Sequence, residues 1–273
     1  MQAKASKLSD YIRSTVIRQS RRANVGHIGS ALSVADLIGA LYAGPLEVEN
    51  ADRDRFVLSK GHAALALYAA LAASGRIDPG TLDQYCGDGS LLGVHPEKEL
   101  DGVDFCTGSL GQGLSVGAGA ALAARAQESG RRTYVLVSDA ELNEGSVWEA
   151  AMFAGHHQLD NLIAIFDVNG QQALGFTADV LNLDAAPEML AGLGWDVQRV
   201  DGHDHRLIGE ALAAALARNG RPHAIIAETT FGKGVSFMES KIEWHYLPLD
   251  EEQYGQALSE IAPPEVGSAD QDS

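Results

Sequence analysis

Cysteine is nearly missing from this 273-residue chain, which has only Cys86 and Cys106. Two thiols cannot build a disulfide framework or a four-thiolate zinc site. Long apolar runs are also missing, and no stretch approaches the roughly 18 residues of a membrane span. The start, Met1 to Lys7, leads into a polar amphipathic stretch and not into the apolar core of a secretory signal. A soluble, cytoplasmic, reduced protein is expected. Cations are scarce: Lys plus Arg is 20 against 37 for Asp plus Glu, a formal net charge of −17. That balance argues against nucleic acid or an anionic membrane as the main partner, since both need clustered cations. It leaves room for a local cationic or metal-assisted phosphate site, and otherwise serves solubility. What remains is ordinary for a globular protein, with 45% hydrophobic and 21% charged residues.

The elements run in a regular order. Leu8, Ile12, Val16 and Ile17 recur at helical spacing, predicting an opening helix from Lys4 to about Arg21. Gly26-His27-Ile28-Gly29-Ser30 breaks it. Ser33 is expected to cap a second helix with Asp36 in its first turn and Gly44 near its end. Arg55 to Ser59 reads as a strand, and Ala63 to Ala73 as an Ala/Leu-rich helix. A long glycine-punctuated stretch from Gln84 to Gln112 lacks periodicity, and its length favours a functional loop. Strands are then predicted at Thr133–Val137, Leu162–Phe166, Trp195–Val200 and Ala224–Ala227. Helices alternate with them at about Leu114–Ala126, Ser146–His157, Ala186–Ala191 and Arg206–Arg218. Apolar strands separated by helices predict a doubly wound α/β fold, its mostly parallel sheet flanked by helices. One domain is expected over residues 1–262, with a frayed acidic tail over 263–273.

In such a sheet, ligands bind beyond the carboxyl ends of the strands. Two successive strand ends carry Ser138-Asp139-Ala140-Glu141 and Asp167-Val168-Asn169-Gly170-Gln171. A carboxylate, an amide oxygen and a nearby backbone carbonyl suit a hard cation such as magnesium, which bridges protein carboxylates to ligand phosphates. The same residue types equally suit an N-cap and a turn. Of nine histidines, His27, His62, His95 and His245 fall in predicted breaks, a pattern that fits proton handling. His156 and His157 end a helix and suit its dipole. His203 and His205 flank a strand-to-helix turn and are read as capping residues, and His223 opens the last strand. The glycines from Gly111 to Gly117 do not follow a strand, which argues against a nicotinamide site.

These blocks, in this order, resemble the N-terminal, diphosphate-binding part of transketolase in its separate small-subunit form. The likeness runs from about Lys7 to Leu258. It rests on Gly26-His27-Ile28-Gly29, on Asp52 to His62, on His95-Pro96-Glu97 and on Thr107 to Gly113. Ser138 to Gly145, Asp167 to Gln171 and Trp244-His245 continue it. The resemblance implies the thiamine diphosphate-binding fold and a thiamine diphosphate cofactor held with Mg2+, or with Ca2+ or Mn2+. Asp139, the Asn169 side chain and the Gln171 carbonyl would ligate the metal. His62 and His245 would contact the diphosphate, alongside Ala140. Gly108, Ser109 and Leu110 would hold the aminopyrimidine and flank the thiazolium. His27 and His95 would face the substrate, and all four loop histidines form the expected catalytic set. Glu144 would have a supporting role near the cofactor and the subunit contact.

The chain departs from the family pattern in three places. Ala140 stands where the diphosphate motif usually has glycine, Tyr246 where glycine commonly follows the last histidine, and Ile28 where many members have proline. The pyrimidine-binding and C-terminal domains of a full transketolase have no room after Leu258. The resemblance therefore implies a separate partner subunit carrying them, with two copies of each chain. The expected reaction moves a two-carbon ketol unit from a ketose or its phosphate to an aldose. The alternatives are donation to an unusual acceptor, such as a carrier-protein thiol or an amino-sugar precursor, and a non-catalytic scaffold.

Overall fold

The computed structural model describes residues 2–50 and 52–261; the expected tail over 263–273 lies outside them. Five parallel strands form the central sheet: β1 (Arg55–Leu58), β2 (Thr133–Ser138), β3 (Leu162–Val168), β6 (Asp196–Asp201) and β7 (His223–Glu228). Their spatial order is β1-β2-β3-β7-β6. Between β3 and β6 the chain makes a small antiparallel hairpin of β4 (Gln171–Gln172) and β5 (Gly175–Phe176).

Alternation along the strands builds two cores. Phe56, Leu58, Tyr134, Leu136, Ile163 and Ile165 face one layer. There they meet α1 (Gln2–Ala23), α3 (Ala35–Ala43), α4 (Ala64–Ala73) and α9 (His205–Ala214). Val57, Val135, Val137, Leu162, Ala164 and Phe166 face the other layer. That side is covered by α5 (Gly113–Ala126), α6 (Gly145–His156) and α8 (Ala186–Gly192). Strands buried on both faces must be apolar throughout, which is why they read as continuous runs. The small residues of α5 have a direct cause: a Cβ on Gly117 would lie 2.3 Å from Val135 Cγ2.

Most expected elements stand within a few residues of their predicted bounds, and the doubly wound arrangement is observed. Ser33 is not a helix cap. It ends a separate helix, α2 (Ile28–Ser33), and its hydroxyl donates to Ser30 O at 3.0 Å and to Asp167 Oδ2 at 2.9 Å, while Val34 is the N-cap of α3. His203 and His205 do not cap α9 either. Asp204 does, accepting from the N–H groups of Arg206 and Leu207, because its short carboxylate can fold back on the first turn. The two imidazoles instead close on buried Asp36, at 2.7 and 3.2 Å, beside the Arg13 guanidinium. His223 opens β7 and His156 ends α6, as read. The β4–β5 hairpin, the short α7 (Thr177–Val180) and α10 (Glu251–Glu260) are additions. Helix α10 starts with a capping box, Asp250 paired with Gln253, a signal that was present in the sequence. Among the described residues no helix is long and apolar enough to cross a membrane, and Cys86 and Cys106 are unpaired.

Candidate active site

A cavity of about 310 Å³ opens at the carboxyl ends of β1, β2 and β3. Segments distant in sequence line it: His27 and Ser30, Lys60 and His62, His95, Gly108 and Leu110, Ser138 and Ala140, Asn169, Gln171 and Ala173, and His245. Each stands at a strand end or in a break. Strand β1 delivers Lys60 and His62 through a short 3₁₀ turn, Gly61–Ala63. His27 precedes α2 with φ of 61°, a left-handed conformation uncommon for residues with a side chain and concentrated at functional sites. It is fixed there because its N–H donates to His245 O at 3.2 Å. Gly26 is required beside it, since a Cβ would lie 2.3 Å from Tyr246 O.

The imidazoles of His27, His62 and His245 form a triangle with centroids 5.5–5.6 Å apart. Burial lowers the pKa of all three, and neighbouring cations add to it. His245 is pushed down to about 4 by burial, then by His27 and Lys60. His62 falls well below its ordinary value through burial, Lys60 and the other imidazoles. His27 is lowered by burial and by His95. At neutral pH the three rings are therefore uncharged and can each accept or donate a proton. His62 Nε2 lies 2.9 Å from Ser30 Oγ. Phe231 stacks under His245, rings 5.6 Å apart and 3° from parallel. His95 comes in on the long loop, exposed, with its ring against Gly108.

Asp139 and Asn169 follow adjacent strands β2 and β3. Ser138, not Asp139, is the N-cap there, completing a capping box with Glu141. Asp139 is 1% exposed and accepts from Gly170 N at 3.0 Å and Thr177 Oγ1 at 2.7 Å. Burial raises its pKa to about 6. Asn169 makes an Asx turn, Oδ1 accepting from Gln171 N at 3.0 Å, and its Nδ2 donates to Asp167 Oδ2. The Ala140 N–H donates to Asp139 Oδ1 at 2.9 Å. Asp139 does not line this cavity; it lines a second one of about 510 Å³, together with Gly170 and Thr177. Ser109 and Glu144 are exposed and outside the lining, with Glu144 caught against Gly111 as the N-cap of α6. The Gly111 turn is held by Glu141 Oε1, which accepts from Gly111 N at 2.9 Å and from Ser59 Oγ.

The sequence motifs assign no role to two features of the site. Lys60 is wholly buried, lines the cavity and donates to Asp167 Oδ2 at 2.5 Å. Burial would raise the Asp167 pKa, yet the Lys60 charge and hydrogen bonds from Lys60, Thr229 and Asn169 hold it below the usual range. The position of Lys60 just past a strand, two residues before His62, was the available signal. The second feature is unmet polarity. His27 Nδ1, His245 Nδ1 and both amide atoms of Gln171 are buried without hydrogen-bond partners among the described residues. Buried polar atoms are ordinarily paired; others stand unpaired elsewhere in the described residues, but these four belong to three residues that line one cavity, which fits a polar ligand there. A thiamine diphosphate–metal group meets that requirement. It calls for a carboxylate, an amide oxygen and a backbone carbonyl for the metal and for donors to the diphosphate; Asp139, Asn169 and Gln171 are residues of the first kind, and the His62 and His245 rings and Lys60 are of the second.

Comparison with known proteins supports the thiamine diphosphate part of this fit. Residues 4–261 match the family described as transketolase, thiamine diphosphate binding domain. The chain is 41% identical over 246 residues to an apulose-4-phosphate transketolase subunit of Phocaeicola vulgatus, covering 88% of each. It is 38% identical over 259 residues to a 6-deoxy-6-sulfo-D-fructose transketolase subunit of a Clostridium species, covering 93% of this chain and 94% of that one. Solved transketolases from Leishmania mexicana and Campylobacter jejuni superpose with TM-scores of 0.88 and 0.86 at 30% and 32% identity. This chain spans only 42% and 43% of their lengths, while 96% and 97% of it is covered. The chain belongs to the transketolase family of transferases, of which it carries the thiamine diphosphate-binding, N-terminal part.

Proposed function

We propose that this chain is the cofactor-binding subunit of a two-chain cytoplasmic transketolase. It moves a two-carbon ketol unit from a ketose or its phosphate to an aldose acceptor. The observation that carries this reading is the cavity joining three neighbouring imidazoles, His245 buried and His27 and His62 half-buried, to the Asn169–Gln171 turn, with unpaired polar atoms in residues of its lining. Asp139, Asn169 Oδ1 and the Gln171 carbonyl would hold Mg2+, or Ca2+ or Mn2+ in its place. His62, His245 and the backbone at Ala140 would hold the diphosphate, with Glu144 supporting the subunit contact. Gly108, Ser109 and Leu110 would seat the rings. When bound, the cofactor supplies carbanion chemistry at its thiazolium, which protein side chains cannot provide.

The chain's own residues do the rest. His27 and His95, with His62 and His245 beside them, bind substrate oxygens and move protons to and from them, and the lowered pKa values of His27, His62 and His245 keep a lone pair available on those three rings. Ser30 fixes the His62 ring. Phe231 and Gly26 hold His245 and His27 in register. The partner would supply the pyrimidine-binding and C-terminal domains, two copies of each chain making the enzyme. Relatives of matching length named as subunits support this.

The test mixes the purified chain and its partner with a ketose phosphate, an aldose phosphate, Mg2+ and thiamine diphosphate. Two-carbon transfer supports the reading, and no transfer across a range of donors sinks it. A second reading, donation to an unusual acceptor, draws on Tyr246. Its phenol reaches Ala173 O at 2.6 Å across the rim, reshaping the entrance. Transfer to a non-sugar acceptor in preference to an aldose phosphate would establish it. A scaffold without catalysis would instead show no metal-dependent cofactor binding in the assembled pair.

A further inference from the structure

Gln171 enters the proposed site through its backbone carbonyl, but its side chain is the stranger feature. The residue is 4% exposed and lines the cavity, and neither Nε2 nor Oε1 has a partner among the described residues. A primary amide offers two donors and a carbonyl acceptor, and burying them unpaired is costly. The cost is not relieved by the backbone, which is already committed. Gln171 N donates to Asn169 Oδ1 at 3.0 Å, and the residue pairs with Phe176 across the hairpin. The hairpin is held from two sides. Asn143 Nδ2 donates to Gln172 Oε1 at 2.8 Å, and Tyr246 Oη donates to Ala173 O at 2.6 Å. The amide is thus held unpaired, by a fixed turn, in a residue of the cavity lining.

We propose that the Gln171 side-chain amide is a hydrogen-bonding contact to the bound magnesium–diphosphate group, with Tyr246 as the positioning residue that clasps its hairpin. The two unpaired atoms define the chemistry. Nε2 needs an acceptor and Oε1 needs a donor. A bare phosphate meets only the first need, whereas a hydrated magnesium diphosphate has phosphate oxygens that accept and coordinated waters that donate. This inference rests on the proposed cofactor reading and adds a polar side-chain contact to it.

The experiment titrates the chain assembled with its partner, by calorimetry, with thiamine diphosphate plus Mg2+, and separately with inorganic diphosphate plus Mg2+. Gln171→Leu keeps the bulk and removes both polar atoms. It should bind each ligand about tenfold or more weakly, the loss of one hydrogen bond to a charged group. Its ligand-free form should melt no lower than the parent, because an unpaired amide has gone. Gln171→Asn withdraws the amide by one methylene, should lose most of the same affinity, and tests the idea if the leucine variant does not fold. Tyr246→Phe removes only the clasp and should weaken both ligands by a few-fold, with a faster protease cut in the hairpin. Affinities of both Gln171 variants within twofold of a parent that binds would overturn the inference alone. So would weaker thiamine diphosphate binding with unchanged diphosphate binding, because the amide would then read the organic part. A parent that binds neither ligand overturns the cofactor reading and this inference with it.

Discussion

Lys60 and Asp167 form an ion pair 2.5 Å long with no solvent exposure on either side chain. Lys60 comes from the end of β1 and Asp167 from β3, with β2 between them. The pair puts a cation on the cavity wall of a chain whose net charge is −17. Asp167 also accepts from Ser33, Asn169 and Thr229, so one carboxylate ties together four segments around the site.

Removing one partner of a buried pair leaves the other uncompensated. Lys60→Met should therefore destabilise the chain by about 3–5 kcal/mol. Asp167→Asn in the same background should recover a substantial part of that, because no isolated charge is left. Equilibrium denaturation of both variants checks this, and a single variant within about 1 kcal/mol of the parent would contradict it.

Acid should cost stability through the imidazole triangle. His245 is held at about 4 in the folded chain, against 6.5 ordinarily, so it binds its proton more weakly folded than unfolded. A depressed folded-state pKa contributes stability that is complete above 6.5 and is lost as pH falls toward 4. Between about pH 7 and pH 4.5 the metal-free parent should lose roughly 2 kcal/mol more than His245→Gln, at about 1.4 kcal/mol per pH unit. Denaturation curves at several pH values measure the difference; parallel slopes would refute it.

Gly29 has no space for a side chain, as a Cβ would lie 2.1 Å from Phe231 Cε1. Gly29→Ala should push Phe231 off its stacked position under His245 and cost about 1–3 kcal/mol through overpacking. Cofactor affinity should fall with it. Thermal melting and ligand titration report the two effects. A variant that melts with the parent would show that the ring relaxes freely.

Asp139→Ala should abolish metal-dependent thiamine diphosphate binding, with metal and cofactor affinity lost together. Calorimetry with Mg2+ and cofactor, alone and combined, is the measurement. Retained cofactor binding without metal would show that the histidines and Lys60 suffice as an anchor.

The α/β alternation was legible because strands buried on both faces must be apolar along their whole length, as β2 and β3 are. The break-region histidines were legible because Gly26, Gly61 and Pro96 mark where regular structure stops. The Ser33 cap was misread because propensity cannot tell a cap from a hydroxyl that answers Asp167, 134 residues away. His203 and His205 were misread for the same reason, since their partner Asp36 lies on a different helix.

Local pattern was enough to give the order of elements, the two strand ends bearing Asp139 and Asn169, and the loop positions of His27 and His95; His62 and His245, expected in loops, lie in short 3₁₀ helices. Periodicity and turn chemistry are local, so they survive without coordinates. Only the tertiary structure decided that three of those imidazoles sit within 5.6 Å of one another, that Lys60 neutralises Asp167, and that the Gln171 amide is buried unpaired. Each of these depends on which distant segments share a low-dielectric space, and burial is what turns a solvated charge or amide into a group that must find a partner.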